Sequence, residues 1–131
     1  MAIPPSSSAT NSASVTIAVG PLVRPVLSRV LGMMAARAQC PVDRLDEALL
    51  VADALAAHAV RHVPNGRLAV GITAVHQSLT LNVGPLQENG AQAVLAEATL
   101  PGVGNVLERI ADEVSVTEGA DGESLLIRIC F

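Results

Sequence analysis

The sequence predicts an α+β fold, a two-layer α/β sandwich in which a largely antiparallel mixed sheet carries its helices on one face. Three observations predict it. Segments of alternating hydrophobicity come as pairs separated by short turns, the signature of hairpins and hence of antiparallel pairing. The long amphipathic helical patterns are grouped between those pairs instead of alternating with single strands, which argues against a parallel α/β sheet. Half of the 131 residues are hydrophobic and 15% are charged, enough for one core and one domain without disulfides.

Taken in order, residues 1–13 (MAIPPSSSATNSA) read as a disordered lead, and residues 14–131 as the single domain. Ser14 to Gly20 alternates Val15, Ile17 and Val19 and stops at Gly-Pro, the pattern of an edge strand. Pro21 to Gln39 places Leu22, Val26, Val30, Met33 and Met34 on one side of a helix, with Arg24, Arg29 and Arg37 among them. Pro25 is compatible with that helix only in its first turn. The Met33-Met34 pair reads as core or interface filler. Asp43 to His62 is the longest helical pattern, with Asp43 as N-cap and Asp46 and Glu47 placed well for the helix dipole. Leu45, Leu49, Ala52, Ala56, Ala59 and Val63 form its expected core stripe, while Glu47, Val51, Ala54, His58 and Arg61 form a second face. After the Pro64-Asn65-Gly66 turn, Arg67 to His76 and Leu79 to Val83 read as a hairpin joined at Gln77-Ser78. Ala91 to Ala98 reads as a short helix within a looser region, broken by Pro101-Gly102-Val103-Gly104. Val106 to Val114 reads as a further helix with Val106, Ile110 and Ala111 inward. Val114 to Thr117 and Ser124 to Phe131 form a closing hairpin over Glu118 to Gly122.

Composition removes several functions. The net charge is −4, every basic side chain is arginine and Phe131 is the sole aromatic, so neither a basic face nor a base-stacking platform can be built for nucleic acid. No apolar run is long enough to span a membrane, because Arg24, Arg29, Arg37 and Asp53 interrupt the candidates. The first residues lack the basic-then-apolar order of a secretory signal, and a cytoplasmic location is expected. Cys40 and Cys130 show no CxxC pairing and read as buried or half-buried thiols. His58 and His62 have the HxxxH spacing that can clamp a metal from one helix, His76 or Glu47 being the candidate third ligand. The motif lacks the glutamate beside its first histidine that a zinc hydrolase uses, and the simpler reading of His62 is a solvated helix end.

The helix ending ALAAHAVRH, the strand LTLNVGPL, the run LPGVGNVLERIADEVSV and the final GADGESLLIRI together resemble the anti-sigma-factor serine kinases. Those proteins belong to the GHKL superfamily, with the Bergerat fold of histidine kinases, gyrase and Hsp90. The resemblance spans residues 14–131 and is closest at HAVRH, where the family has NAVRH, and at ADEVSV. It implies a Bergerat-like sandwich. In the family, a Glu and an Asn one turn apart on the second helix serve the attacking group and Mg²⁺, and an Asp in D-x-G-x-G accepts from the adenine amine. A later G-x-G lets backbone amides approach phosphate.

Carried over by position, the resemblance assigns the vestiges of a nucleotide site to His58, Asn82, Gly84, Gly102 and Gly104, and this chain departs from the pattern at its polar steps. His58 stands for the Asn, Ala54 for the Glu and Asn82 for the Asp; Gly84 is retained, but Leu86 replaces the second glycine. Without a carboxylate at position 54, base assistance worth about 10²–10⁴ in rate is lost. Asp53 is adjacent in sequence but lies about 100° around the helix. Neutral imidazole is also a poor partner for Mg²⁺, which prefers oxygen. The resemblance therefore implies a degenerate member: a regulatory domain that binds proteins, with nucleotide binding and kinase activity lost or weakened and ATP and Mg²⁺ as the ancestral ligands. It implies a sigma factor or an anti-sigma antagonist as partner and a possible homodimer, while composition argues against nucleic acid and membrane. The arginine-bearing first helix is the preferred partner surface. The alternatives are a working ATP-dependent anti-sigma serine/threonine kinase and a metal-binding domain built on His58 and His62.

Overall fold

The computed structural model describes residues 10–100 and 104–131, with Thr99 and Leu100 described by their backbone alone. In chain order the elements are β1 (Asn11–Ala18), α1 (Val23–Arg37), α2 (Val42–His58) with a 3₁₀ turn (Ala59–His62), β2 (Arg67–Val75), β3 (Ser78–Leu86), α3 (Gly90–Glu97), β4 (Thr99–Leu100), β5 (Gly104–Asn105), α4 (Val106–Ile110), β6 (Glu113–Gly119) and β7 (Gly122–Cys130). The main sheet runs β1-β2-β3-β7-β6, and β4 and β5 form a separate small ladder. Every pairing in the main sheet is antiparallel, so the expected two-layer sandwich is present without any parallel pair.

The layers follow from strand alternation. Ile17, Leu68, Val70, Ile72, Leu79, Leu81, Val83, Leu125, Ile127 and Ile129 all point to one side, where they are nearly or fully buried. Against them pack Val23, Leu27, Leu31 and Met34 of α1, Val51, Ala52 and Leu55 of α2, Val94 of α3 and Leu107 of α4. Each leucine so buried contributes about 1.5–3 kcal/mol relative to exposure. The opposite side carries small and hydroxylated residues. Ser12 pairs with Thr73, Thr73 with Thr80, and Ser14 with Gly71, which in turn pairs with Asn82. Among the described residues, no helix is long and apolar enough to cross a membrane.

Several boundaries differ from the expectation, each for a local reason. β1 begins at Asn11, so three residues expected in the lead pair with Ala74, Thr73 and Ile72; Thr10 just precedes the strand, and residues 1–9 of that lead lie outside the described residues. Asp43 is not the N-cap of α2. That position falls to Pro41, and Asp43 sits in the first turn, where its charge still suits the helix dipole. The buried stripe of α2 is Ala48, Val51, Ala52 and Leu55, continued by Ala59, whereas Leu45, Leu49 and Ala56 are half-buried. The helix is thus rotated from the expected stripe. Its alanine-rich surface is apolar on more than one face, and contact with α1, where Leu49 Cδ2 lies 4.0 Å from the Cβ position of Gly32, selects the orientation.

The β2–β3 turn is His76-Gln77, not Gln77-Ser78: Val75 pairs with Ser78, and Gln77 takes the positive φ of 60°. The helix expected over Val106 to Val114 lasts only to Ile110, because Glu113 and Val114 are drawn into β6 opposite Arg128 and Ile127. The α1–α2 junction and the β2–β3 turn are tied to each other and to the chain end. Gln77 donates its N–H to Ala38 O at 2.7 Å, and Phe131 donates its own to Gln77 O at 2.9 Å. Arg44 then donates from Nη1 to Cys130 O at 2.9 Å and lies over the Phe131 ring.

Cys40, just after α1, is half-buried. Burial pushes its thiol above the ordinary cysteine value, and the nearby Arg44 guanidinium offsets part of that rise. A raised pKa leaves less thiolate at neutral pH. Alkylation of Cys40 by iodoacetamide, followed by mass spectrometry, is therefore expected to be slower than for a free cysteine at pH 7 and to accelerate as the pH is raised.

Candidate functional site

Ala54 and His58 are one turn apart on α2 and line the same cleft, as their spacing requires. The cleft is about 220 Å³ and is also lined by Arg24, Leu50, Asp53, Ala57, Ala98 and Val106. Asp53 reaches it despite its rotation around the helix. Its Oδ1 is 3.7 Å from Arg24 Nε, and both side chains are about half exposed or more, so this rim pair contributes little to stability. Glu47 is not part of the cleft and pairs with Arg44 at 3.3 Å.

The end of α2 meets α3 through a residue that the sequence did not single out. Glu97 closes α3 with its carboxylate turned to the basic end of α2. His62 Nε2 is 3.3 Å from both Glu97 oxygens, His58 Nδ1 is 3.7 Å from Oε2, and Arg61 Nη1 is 3.9 Å from Oε1. His58 Nδ1 is buried and makes no hydrogen bond. The relaxation of the last turn to 3₁₀ geometry carries Arg61 and His62 onto this side. A signal for Glu97 was present, since it is the one charged residue in GAQAVLAE. What the sequence could not give was its partner, 35 residues away.

Among the described residues, no three His, Cys, Asp or Glu side chains converge as a metal ion needs. Neither expected third ligand joins His58 and His62. His76 is exposed in the β2–β3 turn and Glu47 is held by Arg44.

The residues expected to share a nucleotide are separated. Leu79, Leu81 and Val83 point into the helix-side core, so Asn82, between the last two, points to the open side of the sheet. A single small ligand cannot touch His58 and Asn82, because the sheet lies between them. Gly84 lines the open-face cleft with Asn82. It sits in the β-bulge that shifts the register between Val83 and Leu86, and a Cβ there would come within 2.8 Å of Glu123 O and Ser124 Oγ. Its glycine is explained by that close approach. The bulge also turns Leu86 inward, where it is fully buried. Gly104 is exposed in β5 with φ +92°, and Gly102 lies outside the described residues.

A second carboxylate, this one buried, was also unforeseen. Glu123 is 6% exposed and accepts from the backbone N–H groups of Asn89 at 2.9 Å and Ala91 at 3.2 Å. It therefore caps α3, whose own N-cap residue Asn89 is left-handed and makes no side-chain cap bond. The negative charge also suits the helix N-terminus. The sequence signal was its parity. It falls on the same side as Leu125, Ile127 and Ile129, where a strand facing the core should carry no charge.

The fold and these sites define a two-layer antiparallel α/β sandwich with the α2 cleft on the helix side of its sheet and the Asn82 cleft on the open side. The chain matches no protein-family model, and no curated protein matches it.

Proposed function

We propose that this chain is a regulatory protein-interaction domain, laid out like an anti-sigma-factor serine kinase but working without nucleotide chemistry. The observation that carries the reading is Glu97. Its carboxylate lies where the basic groups His58, Arg61 and His62 gather, so a phosphate approaching them meets an anion already in place. Two unit charges of like sign about 4 Å apart repel by a few kcal/mol in a partly solvated setting. Ala54 offers no base, and Asn82 opens to the other side of the sheet, which supports the same reading.

The partner surface in this proposal is the outer face of α1. Leu22 is 64% and Met33 55% exposed, and both share that face with Val26 and Arg29 by helical spacing. No ion pair joins Arg29 or Arg37 to another described residue. Exposed apolar side chains beside unpaired cations suit an acidic amphipathic partner. By the resemblance, that partner is a sigma factor or an anti-sigma antagonist in the cytoplasm, with the domain acting as monomer or homodimer.

The test is calorimetric titration with ATP and Mg²⁺, run beside co-elution with a purified sigma factor. The expected outcome is no saturable nucleotide heat, together with co-elution that is lost in the double variant Arg29→Glu, Arg37→Glu. Low-micromolar ATP binding with phosphate transferred to the partner would establish the kinase instead.

A further inference from the structure

We propose that the cleft on the open face of the sheet binds a small, neutral, polyhydroxylated molecule, a monosaccharide or related polyol. This inference is independent of the protein-interaction reading and concerns the opposite side of the sheet. The cleft is about 320 Å³, at the lower end of the range of roughly 300–1,000 Å³ that small-molecule sites occupy. Its floor is a row of register partners, Ser14 on β1, Gly71 on β2 and Asn82 on β3. Pro85, Ser124 and the β6–β7 turn with Asp121 wall one end.

Gly71 is the informative residue. Mid-strand glycine weakens a sheet, and it is normally explained by a positive φ, a bulge or the close approach of another group. Among the described residues none of these operates at Gly71. Gly71 is not among the residues of positive φ, and its pairing with both neighbouring strands is regular. The nearest atom to a Cβ built on it is Asn82 O, at 4.0 Å. A side chain at position 71 would thus project freely into the cleft. The missing side chain keeps the floor open between Ser14 and Asn82.

The lining fixes the chemistry of the ligand. The Asn82 amide and the hydroxyls of Ser14 and Ser124 each donate and accept, and the Asp121 carboxylate accepts. Among the described residues no cationic side chain lines the cleft, so none of them neutralises a phosphate or carboxylate there. No described aromatic lines it either, so a nucleobase finds no aromatic face there to stack on. Vicinal hydroxyls, each both donor and acceptor, match the set that is present.

The test is a titration of the ¹⁵N-labelled full chain with glucose, inositol and glycerol into the millimolar range, with adenosine and inorganic phosphate as separate arms. Gly71→Val fills the floor with a residue that favours strands, and its melting temperature is expected to be no lower than that of the parent. Asn82→Leu, at an exposed position, is the second variant. The expected result is saturable shifts of the Gly71, Asn82 and Ser124 amides with at least one polyol, weakened by about tenfold or more in both folded variants. The proposal is overturned if no polyol gives saturable shifts, if the shifts persist in the variants, or if adenosine or phosphate alone perturbs these amides.

Discussion

Replacing Glu123 by alanine is expected to destabilise the protein by roughly 3 kcal/mol, lowering its melting temperature by about 10 °C. The carboxylate is buried on the core side of β7 and holds the N–H groups of Asn89 and Ala91 at the start of α3. Truncation removes two charge-assisted hydrogen bonds at once and strands two backbone donors at a helix end that has no other side-chain cap. Glu123→Gln keeps the shape and one acceptor oxygen, so it should lose less. Urea denaturation of the three proteins measures the difference. Hydrogen exchange locates it: protection of the Asn89 and Ala91 amides should fall well before that of Leu81 in the sheet centre. Equal stability of the alanine variant would show that α3 is capped some other way.

The second large effect is expected at Gly122, one residue earlier. Its φ is +134°, a region essentially restricted to glycine, and a Cβ there would collide with the backbone carbonyl of Leu86. The obstacle is main chain in a paired strand, so it cannot swing aside as a side-chain tip can. Gly122→Ala should cost roughly 3 kcal/mol or more, combining backbone strain with overpacking. Asp121→Ala, the neighbouring exposed position in the same turn, should change stability by no more than about 0.5 kcal/mol. Thermal denaturation of the pair separates a collision from a general sensitivity of the turn.

Both predictions bear on α3 and hence on Glu97. If α3 frays when Glu123 is lost, the carboxylate at its C-terminal end loses its fixed place beside His58 and His62. The capping residue of β7 and the anion beside α2 are then linked through one eight-residue helix.

How much of this was legible in the chain differs from residue to residue. The alternation of Leu79, Leu81 and Val83 already placed Asn82 on the other face, so its separation from His58 could have been read from strand parity alone. The family resemblance drew attention to the motif instead of to its phase. Glu123 was equally readable as a charge on a core-facing position. The orientation of α2 was not. With alanine at positions 48, 52, 54, 56, 57 and 59, several stripes have similar hydrophobicity, and only contact with α1 and the sheet distinguishes them.

The sequence by itself determined the α+β class, the two hairpins, the helices between them and the single core, because hydrophobic period and turn chemistry are local properties. Tertiary structure alone decided which polar groups meet. Glu97 finds His62 across 35 positions and Glu123 finds Asn89 across 34. Gly71 opens a cleft only because Ser14 and Asn82 are its register partners on either side. Long-range pairing is fixed by the packing of whole elements, and no local pattern encodes which side chains that packing will bring within reach of one another.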